Sequence, residues 1–151
     1  MATHRDAKFP SKPYIESAPV PAEQGGLREV GATSAPLKSA SFFIGEACKT
    51  YNEDFMLCKN ENADPAHCLK EGRRVTRCAQ DLIRKLSDSC GKQWEQHWQC
   101  LENNNQEFYK CRKPERSLNQ CVFDKLNLAK KIPGSPEGQE QVHELKRPVW
   151  H

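Results

Sequence analysis

Apolar residues and cysteines recur along the middle of the chain with the period of a helix. Ile44, Cys48, Tyr51, Phe55 and Cys58 step by 4, 3, 4 and 3. After a polar break, Cys68, Val75, Cys78, Leu82, Ile83 and Leu86 resume the same rhythm, which predicts one amphipathic stripe per helix. The break, Asn62-Ala63-Asp64-Pro65, reads as a turn in which Asp64 caps and Pro65 takes the first helical position. Cys90, Trp94, Trp98 and Leu101 form a third stripe, and Asn103 to Asn105 interrupt it. Asn104 and Glu107 then read as a capping pair for a fourth helix carrying Phe108, Cys111, Leu118 and Cys121. Pro114 leaves two paths open. Either that helix starts near Gln106 and is kinked by the proline, or it starts later, at Pro114.

The eight cysteines, Cys48, Cys58, Cys68, Cys78, Cys90, Cys100, Cys111 and Cys121, are spaced 10, 10, 10, 12, 10, 11 and 10 apart. Ten helical residues turn through about 1000° and rise about 15 Å, so such a pair shares one broad face. They cannot bond within their own helix, because a disulfide needs Cα atoms within about 7 Å. Eight cysteines allow on the order of a hundred pairings. Antiparallel helical hairpins select one: Cys48 with Cys78, Cys58 with Cys68, Cys90 with Cys121, and Cys100 with Cys111. The predicted fold is all-α, two disulfide-stapled antiparallel hairpins flanked by extended N- and C-terminal arms.

Composition explains why staples are needed. The whole chain of 151 residues has 27 Leu, Ile, Val and Phe, and only ten of them fall between Cys48 and Cys121. A core so poor requires covalent support. The net charge is +3, too small to account for that poverty as disorder. Four organisational units follow from this reading. Residues 1–35 form a proline-rich N-terminal arm, and 36–86 a short helix (Pro36 to Ala47, capped by Ser34) plus the first hairpin. Residues 87–128 form the second hairpin and 129–151 the C-terminal arm. In the arms, Phe9, Tyr14, Ile15, Leu27, Val149 and Trp150 are dispersed singly and cannot build a core. They read as anchors for straps that order across a partner surface, the alternative being tails free in solution.

Candidate chemistry is sparse. Zinc sites usually place ligands about two to four residues apart, and redox enzymes favour Cys-x-x-Cys; neither pattern occurs among the cysteines. His4, His67, His97, His143 and His151 are scattered, and Gly25-Gly26 lacks the rest of a phosphate loop. No catalytic residue, cofactor or metal is expected, nor a nucleic-acid partner. Two features read as contact surfaces. One is the basic stripe Lys70, Arg73, Arg74, Arg77, Arg84 and Lys85, which suits a solvated face, or else anionic lipid headgroups or an acidic partner surface. The other is Trp94 with Trp98, which suits packing or docking.

Two consecutive pairs of cysteine-x9-cysteine segments resemble the coiled-coil-helix-coiled-coil-helix (CHCH) family, in its double form. The stretches Asn52 to Cys58, Asp64-Pro65 with Cys68 to Gly72, Val75 to Cys78, and Gln120 to Leu126 are similar to the PGIV-type accessory subunits of mitochondrial complex I. The resemblance covers about Pro36 to Leu128. It implies a non-catalytic subunit on the intermembrane-space face of the complex I membrane arm. Its partners would be other membrane-arm subunits and, during import, the disulfide-relay oxidoreductase. It also reconciles two observations: many cysteines, yet neither a secretory nor a mitochondrial leader in residues 1–30. A soluble assembly factor or metal chaperone of the same compartment is the alternative.

Overall fold

The computed structural model describes residues 30–145. Its helices are α1 (Ser34–Ala47), α2 (Lys49–Glu61), α3 (Leu69–Asn103) and α4 (Arg112–Leu126), with a 3-10 turn, Phe108–Cys111, before α4. Only Cys48, at φ −106° and ψ 15°, separates α1 from α2. A second half-cystine, Cys90, breaks the helical geometry within α3 at φ −130° and ψ 23°. The chain bends at Cys48 and Cys90, and these bends divide it into two hairpins. α2 pairs with the first part of α3, and the rest of α3 pairs with the 3-10 turn and α4.

The four disulfides are Cys48–Cys78, Cys58–Cys68, Cys90–Cys121 and Cys100–Cys111, with Cα–Cα distances of 5.9, 6.0, 6.0 and 5.9 Å. The antiparallel rungs predicted from the spacing are therefore present. All eight cysteines are consumed.

The core lies around the Cys90 bend and the second hairpin, and it leaves out α2. Ala40 and Phe43 of α1 pack against Leu82, Leu86, Cys90 and Trp94 of α3 and Leu118, Cys121 and Val122 of α4. α1 thus supplies the third layer that the second hairpin needs to bury its stripe. α2 has no buried residue at all. It is held by its two disulfides and by Phe55, whose ring would lie 3.3 Å from a Cβ placed on Gly72. A side chain at position 72 would therefore press on the Phe55 ring and require it to shift by a few tenths of an ångström.

Several local expectations are corrected. The boundary between 86 and 87 falls inside α3, since nothing in Ser87-Asp88-Ser89 stops a helix and the break comes at Cys90. Asp64 does not cap α3: its Oδ1 accepts from the Ala66 amide at 3.1 Å, closing a local turn, and the helix begins at Leu69. Ser34 does not cap α1 with its side chain; Thr33 is the boundary residue, and the Ser34 hydroxyl accepts from Gln106 Nε2 at 2.7 Å. Asn104 and Glu107 form no capping pair. Instead Asn105 and Gln106 adopt left-handed φ values of 52° and 57°. The Gln106 amide reaches the Leu101 carbonyl at 2.7 Å, the closure of a Schellman helix end. Pro114 takes the third position of α4, where its missing N–H leaves no bond unmade. The later of the two expected starts is the nearer one, with the helix beginning at Arg112, two residues before Pro114.

Candidate functional site

Residues 127–145 contain no helix or strand, yet they are anchored to their own domain. Asn127 ends α4 in the left-handed conformation, φ 51°. The chain then turns back and buries Lys130 between α1 and α4. Lys130 Nζ donates to Glu115 Oε1 at 2.6 Å and faces the rings of Phe42, Phe43 and Phe108 at 5.0, 5.7 and 5.5 Å from their centroids. Arg112 Nη1 donates to the other Glu115 oxygen, also at 2.6 Å. Burial pulls the Lys130 pKa below its ordinary value, and the Glu115 carboxylate opposes that. Further along, Arg116 donates to the Leu145 carbonyl, and His143 is buried.

His97 sits beside this cluster on α3. It is fully buried, its Nδ1 is 2.7 Å from Ser39 Oγ, and Phe108 packs on its ring at 5.6 Å. Burial lowers its pKa from 6.5 to about 4, so the imidazole is neutral near pH 7. These are structural polar groups, enclosed by rings and helices. Sequence reasoning treated His97 as an isolated histidine and missed the Lys130–Glu115 pair. Its partners lie on different segments, and no helical spacing connects a loop lysine to a residue of α4.

Cys58, His67 and Cys68 bring their donor atoms within 4.8 Å of one another. The Cys58 and Cys68 sulfurs are bonded together, so neither offers a thiolate, and His67 is left as a single exposed ligand. The oxidised protein therefore has no metal site there.

The basic stripe divides. Arg74, Arg77 and Lys85 line a groove of about 650 Å³ along α3, and Lys125 of α4 joins them. Lys125 lies on the far side, its Nζ donating to the Ser89 carbonyl at 2.8 Å next to the bend. Leu82, Leu126 and Leu128 supply apolar lining. Arg73 is half-buried and does not line the groove, Lys70 flanks a smaller hollow near the hairpin tip with Asp54 and Glu61, and Arg84 pairs with Asp81 at 3.5 Å. Trp94 belongs to the core. Trp98 is half-buried against it, and both border a separate hollow beside Pro36 and Ile83. Trp150, and the dispersed apolar residues of the N-terminal arm, lie outside the described residues. No helix among the described residues is long and apolar enough to cross a membrane.

Stapled helical hairpins with two cysteine-x9-cysteine pairs define a CHCH-type protein, and residues 90–124 match the CHCH domain family. The NADH-ubiquinone oxidoreductase 20.8 kDa subunit of Neurospora crassa is 45% identical over 148 residues, which is 97% of this chain and 81% of that protein. The NADH dehydrogenase (ubiquinone) 1 alpha subcomplex subunits 8-B and 8-A of Arabidopsis thaliana are each 35% identical over 86 residues, 57% of this chain, and 81% and 80% of those proteins. The chain belongs to this family of twin cysteine-x9-cysteine accessory subunits of NADH-ubiquinone oxidoreductase.

Proposed function

We propose that the protein is a non-catalytic structural subunit of complex I, bound peripherally to the intermembrane-space face of the membrane arm. The observation that carries this is the oxidation of all eight cysteines into a ladder with no thiol to spare, in a chain related over nearly its whole length to a complex I subunit. A nucleophile, a redox dithiol or a thiolate metal site would each need a free sulfur. Four disulfides also call for an oxidising compartment, which supports the intermembrane space and a disulfide-relay oxidoreductase as the partner during import. The exposed side chains of the first hairpin, Met56, Leu57 and Leu69, and the basic residues Arg73, Arg74 and Arg77 are where neighbouring subunits or anionic headgroups would meet it. Trp98 and the Trp150 end of the C-terminal arm are further contact candidates, whereas Trp94 serves the core.

The test is mass spectrometry of the non-reduced protein recovered from detergent-purified respiratory complexes separated on a native gel. Four intact bridges in a band with NADH dehydrogenase activity, at one copy per complex, are expected. Recovery only as a free species, partly reduced or bearing metal, would establish a chaperone instead. Protease that removes the protein from mitoplasts but not from intact mitochondria fixes the face; resistance in mitoplasts would put it on the matrix side.

A further inference from the structure

The groove lined by Arg74, Arg77, Lys85 and Lys125 combines two chemistries that a solvated charge stripe would not need. Positions 74, 77, 81 and 85 fall on one side of α3 at steps of 3, 4 and 4, so Arg74, Arg77 and Lys85 form a row of cations that Asp81 interrupts. Its single acidic lining residue, Asp81, lies 3.5 Å from Arg84, which shares its charge. Beneath and beside the row are Leu82, which is buried, and the half-buried Leu126 and Leu128. The rim is cationic and the floor is aliphatic.

We propose that this groove binds one anionic phospholipid, with the phosphate held by the arginines and lysines and the start of the acyl chains laid on the leucine floor. Guanidinium groups match phosphate oxygens in a fork, and the lysines add point charges around it. A volume of about 650 Å³ is in the range of small-ligand clefts. An acidic peptide would satisfy the cations but leave the leucines unused; an anionic amphiphile satisfies both. The inference rests on the reading of the protein as peripheral to a membrane complex. It adds a defined lipid site to that reading, built in part from Lys125, Leu126 and Leu128, which belong to the second hairpin.

The experiment is flotation of the oxidised full-length protein with vesicles of phosphatidylcholine alone and of phosphatidylcholine mixed with phosphatidylglycerol. Binding to the mixed vesicles only is expected. Each cation near an anionic surface is worth roughly fivefold in affinity, so Lys85→Glu with Lys125→Glu weakens binding by about 20-fold or more. Arg74→Gln, which leaves the Lys125–Ser89 contact intact, weakens it by about fivefold. Lys92→Glu with Lys113→Glu changes the net charge equally but lies outside the groove, and it should retain most of the binding. Equal losses in the groove and control variants would overturn the proposal in favour of diffuse attraction. So would binding to both vesicle types, or binding to polyglutamate and to neither vesicle. Circular dichroism of each variant checks the fold. Because flotation uses the isolated chain, its failure is separable from a failure to find the protein with NADH dehydrogenase.

Discussion

Lys130 Nζ lies 2.6 Å from Glu115 Oε1, and both side chains are 1% exposed. The pair fastens the segment after α4 to the domain, and the aromatic rings of Phe42, Phe43 and Phe108 close around the ammonium. Breaking a buried pair strands a charge, whereas replacing both members with apolar groups does not. Lys130→Ala leaves Glu115 with Arg112 alone and should therefore destabilise the protein by about 3 kcal/mol, the low end for a broken buried pair. Lys130→Met combined with Glu115→Leu should recover most of that loss, less the contribution of Arg112, which keeps no acceptor. Thermal unfolding of the two variants under oxidising conditions is the check, and equal melting temperatures would contradict the account.

The two hairpins should respond differently to losing their bridges. No residue of α2 is fully buried, and a 13-residue helix alone is marginal in water, so the first hairpin depends on Cys48–Cys78 and Cys58–Cys68. A loop of about 30 residues closed by a disulfide is worth roughly 3 to 4 kcal/mol, with the nested inner bridge adding less. Replacing Cys48, Cys58, Cys68 and Cys78 by serine should release α2 while α1, the later part of α3 and α4 keep their packing. Hydrogen exchange would show near-complete loss of protection over residues 49–61 and retained protection over 112–126. Uniform loss across both segments would show that the domain is one cooperative unit.

The spacing of the cysteines made the pairing legible, because antiparallel helices bring equal intervals into register. The same regularity concealed the continuity of α3. The Cys78 to Cys90 interval, at 12 residues, is the longest of the series, and the helix runs on through Ser87 to Ser89 because no proline or glycine stops it. Capping chemistry was misread at Asp64, Ser34 and Asn104, where side chains bonded to nearer or more distant partners than a helix start would provide. α1 was legible as a helix but not as a core element, since its role depends on Phe43 meeting α3 and α4. The groove was visible only by half: α3 showed its arginines, while Lys125 and Leu128 are brought there by tertiary structure.

Gly72 gives a direct test of the close approach in the first hairpin. A Cβ there would sit 3.3 Å from Phe55 Cε2, tight enough that the ring must give way. Gly72→Val should destabilise by about 1 to 3 kcal/mol through overpacking. Adding Phe55→Leu should relieve part of the effect, because the smaller side chain can withdraw. The denaturant midpoints of the single and double variants measure it; a double variant less stable than the sum of the singles would place the strain elsewhere.

His97 makes stability depend on pH in a definite direction. Its folded pKa is about 4 against an ordinary 6.5, because burial outweighs the attraction of Glu115, while Lys130 and Arg112 also disfavour the imidazolium. Between those values the unfolded chain binds a proton that the folded chain does not, so stability falls as pH drops from 6.5 to about 4 and levels off below. Over that window the loss amounts to about 3 kcal/mol. His143 is shifted in the same direction, again chiefly by burial, and steepens the decline. His97→Gln keeps a hydrogen-bonding partner for Ser39 but cannot titrate. The difference in unfolding free energy between wild type and this variant should therefore shrink steadily on acidification from pH 7 to pH 4, and a difference that stays constant would mean that His97 titrates alike in the folded and unfolded chains.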